Sequence, residues 1–532
     1  MKRIHLLLLS LLSGLLLAAA WPAHGFTPLI FVALVPLFFV QQYLGDSRQK
    51  GMFWLAWLTF FVWNVLTTWW IWNSTHGGAV VAILMSSLFM ATIFQVFHIS
   101  KKWLFNNRRG FGILIFYWIS WEYFNMNWDL TWPWLTLGNV FASKHVWIQW
   151  YEFTGVLGGS FWVIVVNILA FNVLQNYLSK EKIRMAGNIA MLFLLLFVPL
   201  SLSSYLYSHY RETRNPANVV VVQPNIDPYT EEYGLPPAEI LQRNLKLAAE
   251  KINDSTNYVV FPESTIQENI WEGNLRRSQS IRTLQNFIRP YPKLSVVVGA
   301  STFRWLSRNE KRTPAARFYR KGLYYYAYNT AFYFDNSPYV QVHHKSKLVP
   351  GVEKMPSWFF LKPLEKYAIN LGGIVGTLKE DNHTTVFTNA QTDVKVAPLI
   401  CYESVYGDFV NKTVRAGAGL IIVITNDGWW GPTPGYRQHF LFSVLRAIET
   451  RRDVAQSATT GISGFINQRG DILQKTAYWK PAVIARQLNI NSRLTFYVKN
   501  GDMIARISGY ISTLILLASI VQGILKNRKS LF

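Results

Sequence analysis

The chain opens with long apolar runs joined by short polar links. Near residue 218 it changes to short β-branched runs separated by polar helical stretches, and it closes on one more apolar run. A helix needs about 17–25 apolar residues to cross the hydrocarbon core of a bilayer. Runs of that kind cover 4–20, 26–44, 52–72, 79–98, 111–127, 159–178, 187–207 and 504–525, which predicts eight spans. The segment 111–127 contains Glu122, either a functional intramembrane carboxylate or a hydrogen-bonded packing group. Lys2, Arg3, the leucines that follow and Ala18, Ala19 and Ala20 also have the outline of a cleavable leader, but a polytopic chain commonly keeps its first span. Residues 128–158 carry Trp132, Trp134, Trp147 and Trp150 and read as an aromatic segment along the outer interface, an anchor or a lipid entrance.

In the middle of the chain, 219–223, 258–261, 294–299, 330–334, 340–344, 394–401 and 420–425 read as buried strands. Several are uniformly apolar, as expected when helices cover one face of a sheet and another layer covers the other. This predicts an α/β domain with more than one sheet, large enough to hold a single sizeable core. The expected organisation is an N-terminal membrane domain at 1–207 with seven helices, a soluble domain at 208–502, and a last span with a basic tail at 503–532.

Charge then supplies orientation. The chain has 52 Lys and Arg against 29 Asp and Glu, an imbalance that by itself fits nucleic-acid binding. Its distribution argues otherwise: residues 1–207 carry 12 basic and 5 acidic residues, whereas 208–502 carry 36 and 24. Fourteen basic residues, including Lys2, Arg3, Arg48, Lys50, Lys101, Arg108, Lys180, Arg184, Lys526, Arg528 and Lys529, fall in loops on one side, and only Lys144 falls on the other. By the positive-inside rule both termini are cytoplasmic and the soluble domain lies outside the cytoplasm. The net +12 of that domain suits contact with anionic headgroups. One cysteine in 532 residues excludes an intrachain disulfide and a Cys-cluster metal site. No glycine-rich phosphate loop or dinucleotide fingerprint occurs, so no cofactor is implied.

Candidate chemistry gathers where the predicted strands end. Glu263 follows 258–261, Lys345 follows 340–344 with Glu353 eight residues on, Cys401 with Tyr402 and Glu403 closes 394–401, and Asn426, Asp427 and Trp429 follow 420–425. Sheet enzymes place their sites at strand ends. A thiol, a carboxylate to take its proton and an ammonium to stabilise an oxyanion form a complete nucleophilic set. The amide of Tyr402 is a candidate second donor. Each residue alone has a plainer reading, as core thiol, solvated lysine or loop carboxylate; jointly they point to catalysis. His343 and His344, with no carboxylate at fixed spacing, read as structural. Trp429 and Trp430 read as a pocket wall or membrane-facing edge, and Arg446, Glu449, Arg451 and Arg452 read as the solvated face of a helix.

The order Glu263, Lys345, Cys401 resembles the Glu–Lys–Cys triad of the nitrilase (carbon–nitrogen hydrolase) superfamily. With spans before and after, the chain resembles the membrane-embedded apolipoprotein N-acyltransferases. The likeness includes Leu348, Val349 and Pro350 before Glu353, Pro398 to Glu403, Asn426, Asp427 and Trp429, and Gln438 and His439. In the membrane part it includes Trp132, Pro133, Trp134, Leu137 and Gly138, and Gly155, Gly158, Ser160 and Phe161. The resemblance implies an α-β-β-α sandwich facing the periplasm of a bacterial inner-membrane protein. It implies acyl transfer from a membrane phospholipid, through a thioester on Cys401, to the N-terminal amine of diacylglyceryl-cysteine apolipoproteins. Glu263 would be the base, Lys345 the oxyanion partner, and Glu353 and Glu403 the groups that orient Lys345. Gly351 and Val352 stand where the family usually has Phe-Gly, and Tyr229 and Tyr233 are the aromatics nearest its loop tryptophan. The competing readings are a membrane-tethered amidase using water as acceptor and a non-enzymatic transporter or scaffold with an inert domain.

Overall fold

The computed structural model describes residues 2–47, 49–107, 109–354 and 377–529, with side chains to 526. Arg48, Arg108 and the side chains of Arg528 and Lys529, all used in the charge argument, lie outside that description. The chain divides into two compact units, Met1–Trp69 with Ala79–His209 and Asn500–Phe532, and Trp70–Gly78 with Tyr210–Lys499.

The first unit is helical. Among the described residues six helical segments are long and apolar enough to cross a membrane: Arg3–Ala20, Thr27–Ser47, His76–Phe105, Val156–Leu178, Lys182–His209 and Met503–Lys526. Met52–Thr68 is apolar with 17 residues. Ile113–Asn125 has only 13 residues, so the predicted span at 111–127 is shorter than the pattern suggested. The cause is local hydrogen bonding. The Asn125 amide donates to Trp132 O at 2.7 Å and its oxygen accepts from Trp128 Nε1 at 3.0 Å, which turns the chain. Buried Glu122 accepts from Trp118 Nε1 at 2.9 Å and from the Leu137 N–H at 2.7 Å, binding the returning segment to the helix.

That returning segment is largely enclosed, with Trp132 and Trp147 half-buried. Trp134, Leu137, Val140, Phe141, Trp150 and Tyr151 are buried inside the helical unit. Glycines permit the packing: a Cβ at Gly138 would collide with the Val156 carbonyl, and one at Gly159 with the Tyr151 hydroxyl. Gly138 N donates to Ser160 Oγ at 3.0 Å, and the Tyr151 hydroxyl donates to Gly138 O at 2.8 Å.

The second unit contains two sheets. The first holds β1 (Pro216–Gln223), β2 (Tyr258–Val260), β3 (Ile266–Trp271), β4 (Ser295–Trp305), β5 (Arg317–Arg320), β6 (Leu323–Phe334), β7 (Gln341–His344) and β14 (Ala482–Asn489). Its order is β14-β1-β2-β4-β6-β5, with β3 on β4 and β7 on β6. The second holds β8 (Phe387–Thr388), β9 (Lys395–Ile400), β10 (Leu420–Thr425), β11 (Val454–Ala458), β12 (Gly464–Ile466) and β13 (Ile472–Lys475), in order 13-12-11-10-9-8. The parallel pairs β1/β2, β2/β4 and β9/β10 carry the apolar runs, and β11, also parallel to β10, carries buried Gln456 and Ser457 instead.

Helices Pro237–Ala249 and Gln279–Ile288 lay Leu241, Leu245, Ala248, Ile281, Leu284 and Ile288 on Val220, Val222, Val259, Val296 and Val298 of the first sheet. Ser278 caps the second helix by accepting from Ile281 N. Helices Gly407–Arg415 and Pro434–Thr450 pack on the second sheet, giving the expected α-β-β-α layering. Buried Gln223 ties the sheets together: its Oε1 accepts from Ser463 Oγ at 2.8 Å and from Thr476 Oγ1 at 2.7 Å, while Ser457 Oγ donates to Val222 O at 2.7 Å.

Arg446, Glu449, Arg451 and Arg452 are buried rather than solvated. Arg446 pairs with Glu449 at 2.8 Å and donates to Val405 O at 2.8 Å. Arg452 donates to Ala418 O at 2.8 Å and Arg493 O at 2.7 Å. The guanidinium forks satisfy loop carbonyls that no strand reaches, so the helix is enclosed on several sides. Arg446→Ala would leave Glu449 buried without its cation and should destabilise the protein by about 3–5 kcal/mol. Thermal unfolding of the detergent-solubilised chain checks this, and a melting curve unchanged from the parent would refute it.

Candidate active site

Three loops of the first sheet and two of the second converge on one cavity of about 180 Å³. Glu263 follows β2 and is positioned by the neighbouring strand. Gly299 N donates to Pro262 O at 3.1 Å, and a Cβ on Gly299 would strike the Glu263 backbone. Lys345 follows β7, where its N–H donates to Asn329 O on β6 at 2.8 Å. Its ammonium, 1% exposed, lies 3.1 Å from Glu263 Oε1 and 2.8 Å from Glu353 Oε1. The Asn329 side chain donates to the same two oxygens at 2.6 and 3.1 Å. Glu263 Oε2 accepts from Asn426 N at 3.0 Å, and Glu353 Oε2 accepts from Val349 N at 2.9 Å.

Cys401 ends β9 and begins the 3-10 turn Cys401–Val405. Its φ of +50° lies in the left-handed region that a β-carbon disfavours, a strain held by the surroundings. The Cys401 carbonyl accepts from Ser404 Oγ at 2.8 Å, and His439 Nε2 lies 3.2 Å from it. His439 Nδ1 in turn sits 2.9 Å from Asp427 Oδ1, which also accepts from Thr425 Oγ1 at 2.7 Å. Fully buried Glu403 accepts from Ile400 N at 2.7 Å and Ser346 N at 2.6 Å, joining the ends of β9 and β7. Glu403 therefore acts on the backbone flanking Cys401 and Lys345, whereas Glu353 meets the ammonium directly.

The remaining site expectations divide. Trp429 and Trp430 both line the cavity, with Val352 and Leu378. Trp429 packs against Tyr229 and Tyr233, and the Tyr229 hydroxyl lies 2.6 Å from Trp429 O. The segment Trp70–Gly78 contributes Ser74 to the lining, and Asn73 Nδ2 donates to Trp430 O at 2.8 Å. The Tyr402 ring instead packs edge-on against Tyr406. His343 and His344 do have carboxylate neighbours: Glu403 lies 3.0 Å from His343, and Glu272 2.6 Å from His344. Those partners come from turns distant in sequence, after β9 and β3, which no fixed spacing reports. Asn329 and Glu232 were not anticipated, one inside an aromatic strand and the other in a polar loop between β1 and the first helix. Glu232 lines the cavity and accepts from Asn426 Nδ2 at 2.6 Å.

The electrostatics follow from burial and pairing. Burial raises the Glu263 carboxyl; Lys345 opposes this, and Glu353 adds to it. Burial pulls the Lys345 ammonium down, but Glu263 and Glu353 outweigh it and hold the group well above its ordinary range. Burial lifts the Cys401 thiol well up, Glu263 lifts it further, and Lys345 pulls it down. The arrangement is thus a protonated thiol beside a strengthened base and a fixed cation, which can form a thiolate as it attacks and shelter the resulting oxyanion. Substituting Glu263→Gln removes a negative neighbour and should move the pH profile of Cys401 alkylation by iodoacetamide to lower pH; Lys345→Met should move it to higher pH. Profiles that stay put, or move in the opposite directions, would show that these charges do not set the thiol.

The chain is similar to known proteins in both of its parts. Residues 13–169 match the family described as apolipoprotein N-acyltransferase N-terminal domain, and residues 218–493 match carbon–nitrogen hydrolase. The apolipoprotein N-acyltransferase of Chlorobaculum tepidum is 31% identical over 530 residues, covering 96% of each chain. That of Geobacter metallireducens is 25% identical over 519 residues, covering 94% of this chain and 92% of its own. That of Thermotoga maritima is 26% identical over 541 residues, covering 97% and 94%.

Proposed function

The chain belongs to the apolipoprotein N-acyltransferases, within the carbon–nitrogen hydrolases, and from that premise we propose that it moves a fatty acyl chain from a membrane phospholipid to the N-terminal amine of a diacylglyceryl-cysteine apolipoprotein. The observation that carries the reading is the Lys345 ammonium held between Glu263 and Glu353 at the mouth of the Cys401 turn, in a chain that also bears membrane-length apolar helices.

In the first half-reaction Glu263 takes the Cys401 proton as sulfur attacks the ester carbonyl of the phospholipid. Lys345 receives the negative charge that develops on the carbonyl oxygen. Collapse breaks the ester C–O bond, Glu263 returns the proton to the departing oxygen, and lysophospholipid leaves a thioester on Cys401. In the second half-reaction the acceptor amine attacks that thioester, the new C–N bond forms, the C–S bond breaks, and Glu263 carries the amine proton to sulfur. Thioesters hold enough reactivity for an amine yet last while substrates exchange, which suits a ping-pong cycle.

The domain division at 207/208 and 502/503 belongs to the same reading, as does the placement of 208–502 outside the cytoplasm. The basic loops support that orientation. It needs an odd number of crossings before Tyr210, which seven helices supply when Met52–Thr68 and Ile113–Asn125 also traverse, as short apolar helices do by locally thinning the bilayer.

Purified protein incubated with phospholipid should gain a fatty-acyl mass on the Cys401 peptide, removable by hydroxylamine, absent from Cys401→Ala and discharged by a diacylated lipopeptide. A folded protein that acquires no adduct would overturn the reading. Lys345→Met should slow adduct formation on the order of 10²–10³-fold, the usual loss when an oxyanion partner is removed.

A further inference from the structure

Resting on that reading, we propose that Glu232 is the group that receives the acceptor's N-terminal ammonium and takes its first proton. Glu232 is 2% exposed yet lines the same cavity as Glu263, Lys345 and Cys401. A single residue connects it to the base: the Asn426 side chain donates to Glu232 Oε2 at 2.6 Å, and the Asn426 N–H donates to Glu263 Oε2 at 3.0 Å. Glu232 thus stands one amide away from the carboxylate that serves the thiol, on a loop rather than on a strand. Loops are where substrate recognition is usually placed.

The charge inventory of the cavity points the same way. Among the described lining residues Glu232, Glu263 and Glu353 face one cation, Lys345. Lys345 is already committed to Glu263 and Glu353. Glu232 is the carboxylate left without that cation, and a phospholipid ester brings none to the reacting carbon, whereas the acceptor's amino terminus is an ammonium with an ordinary pKa of about 7.7–8.0. Complementary charge of this kind selects and orients a partner.

Proton accounting leaves a task for such a group. An ammonium has no lone pair, so one proton must leave before nitrogen attacks the thioester carbonyl. A second leaves as the C–N bond forms and is carried by Glu263 to the sulfur released when the C–S bond breaks. Ammonium plus thioester therefore gives amide, thiol and one surplus proton. In this scheme the surplus proton passes to Glu232 and then to water. Burial, opposed by hydrogen bonds from Ser264, Asn426 and Tyr233 and reinforced by Glu263, lifts the Glu232 carboxyl to about 7, close to the pKa best suited to that exchange. The titratable groups that line the cavity with it are Tyr233 on its own loop, Glu263 after β2, Tyr328 on β6, Lys345 and Glu353 after β7, and Cys401 after β9.

The test separates the two half-reactions in the full-length protein. Glu232→Gln and Glu232→Asp are loaded with phospholipid, the Cys401 thioester is followed by mass, and its discharge by a diacylated lipopeptide is timed in single turnover between about pH 6 and 9. Glu232→Gln should lose on the order of 10²-fold more in discharge than in loading at the low end of that range. The deficit should shrink as the pH rises and the amine arrives as free base, and Glu232→Asp should recover part of it. Equal losses in both half-reactions, a discharge deficit independent of pH, or unimpaired discharge would each overturn the assignment. A parent protein that forms no thioester would instead defeat the acyltransferase reading on which it rests.

Discussion

An ammonium almost sealed from water cannot stand alone, and Lys345 is the charge around which the sheet domain is organised. Removing such a cation from solvent costs several kcal/mol unless close partners restore what water gave. Here Glu263 and Glu353 each offer an oxygen within hydrogen-bonding distance, and Asn329 holds both of those oxygens. The outer oxygens are fastened to the backbone at Asn426 and Val349. Four segments distant in sequence must therefore meet at one point: the end of β2, the middle of β6, the stretch after β7 and the end of β10. The two-sheet architecture supplies that meeting, because parallel strands lying side by side bring their ends to a common edge.

Cys401 shows the same logic in backbone form. Its left-handed conformation costs about 1–3 kcal/mol where nothing over-determines it. Glu403 binds the amides on either side of the gap between β9 and β7, and Ser404 and His439 hold the Cys401 carbonyl. The helix Pro434–Thr450 that carries His439 also carries Arg446, which reaches the carbonyl of Val405 at the far end of the same turn. The turn is thus pinned at both ends from one buried helix.

How much of this could be read from residues alone depended on range. The apolar strands 219–223, 258–261 and 420–425 announced themselves because helices and a second sheet cover both faces. Glu263, Lys345, Glu353 and Cys401 were legible because each sits just past such a run, and the structure gathers all four at one cavity. Strand β11, Val-Ala-Gln-Ser-Ala in sequence, was missed because its buried polar side chains serve other elements, Ser457 the first sheet and Gln456 the Ser443 hydroxyl of the covering helix, instead of repeating a pattern. The arginine reading failed for a related cause, because the guanidinium groups serve carbonyls of remote loops, and the histidines' partners could not be named because Glu403 and Glu272 are 60 and 72 residues from their imidazoles. Periodicity reports one face of one element; satisfaction of buried polar groups is a property of the whole assembly.

The lone sulfur has a consequence for endurance. Oxidants and stray electrophiles attack thiolate far faster than thiol, and susceptibility follows exposure. Cys401 is 9% exposed and is kept in its protonated form by burial and by the neighbouring carboxylate. With no second cysteine in the chain, it also has no intramolecular partner with which to be trapped as a disulfide. The sulfur is therefore held in its less reactive form, and inertness toward stray electrophiles is built into the fold that encloses it.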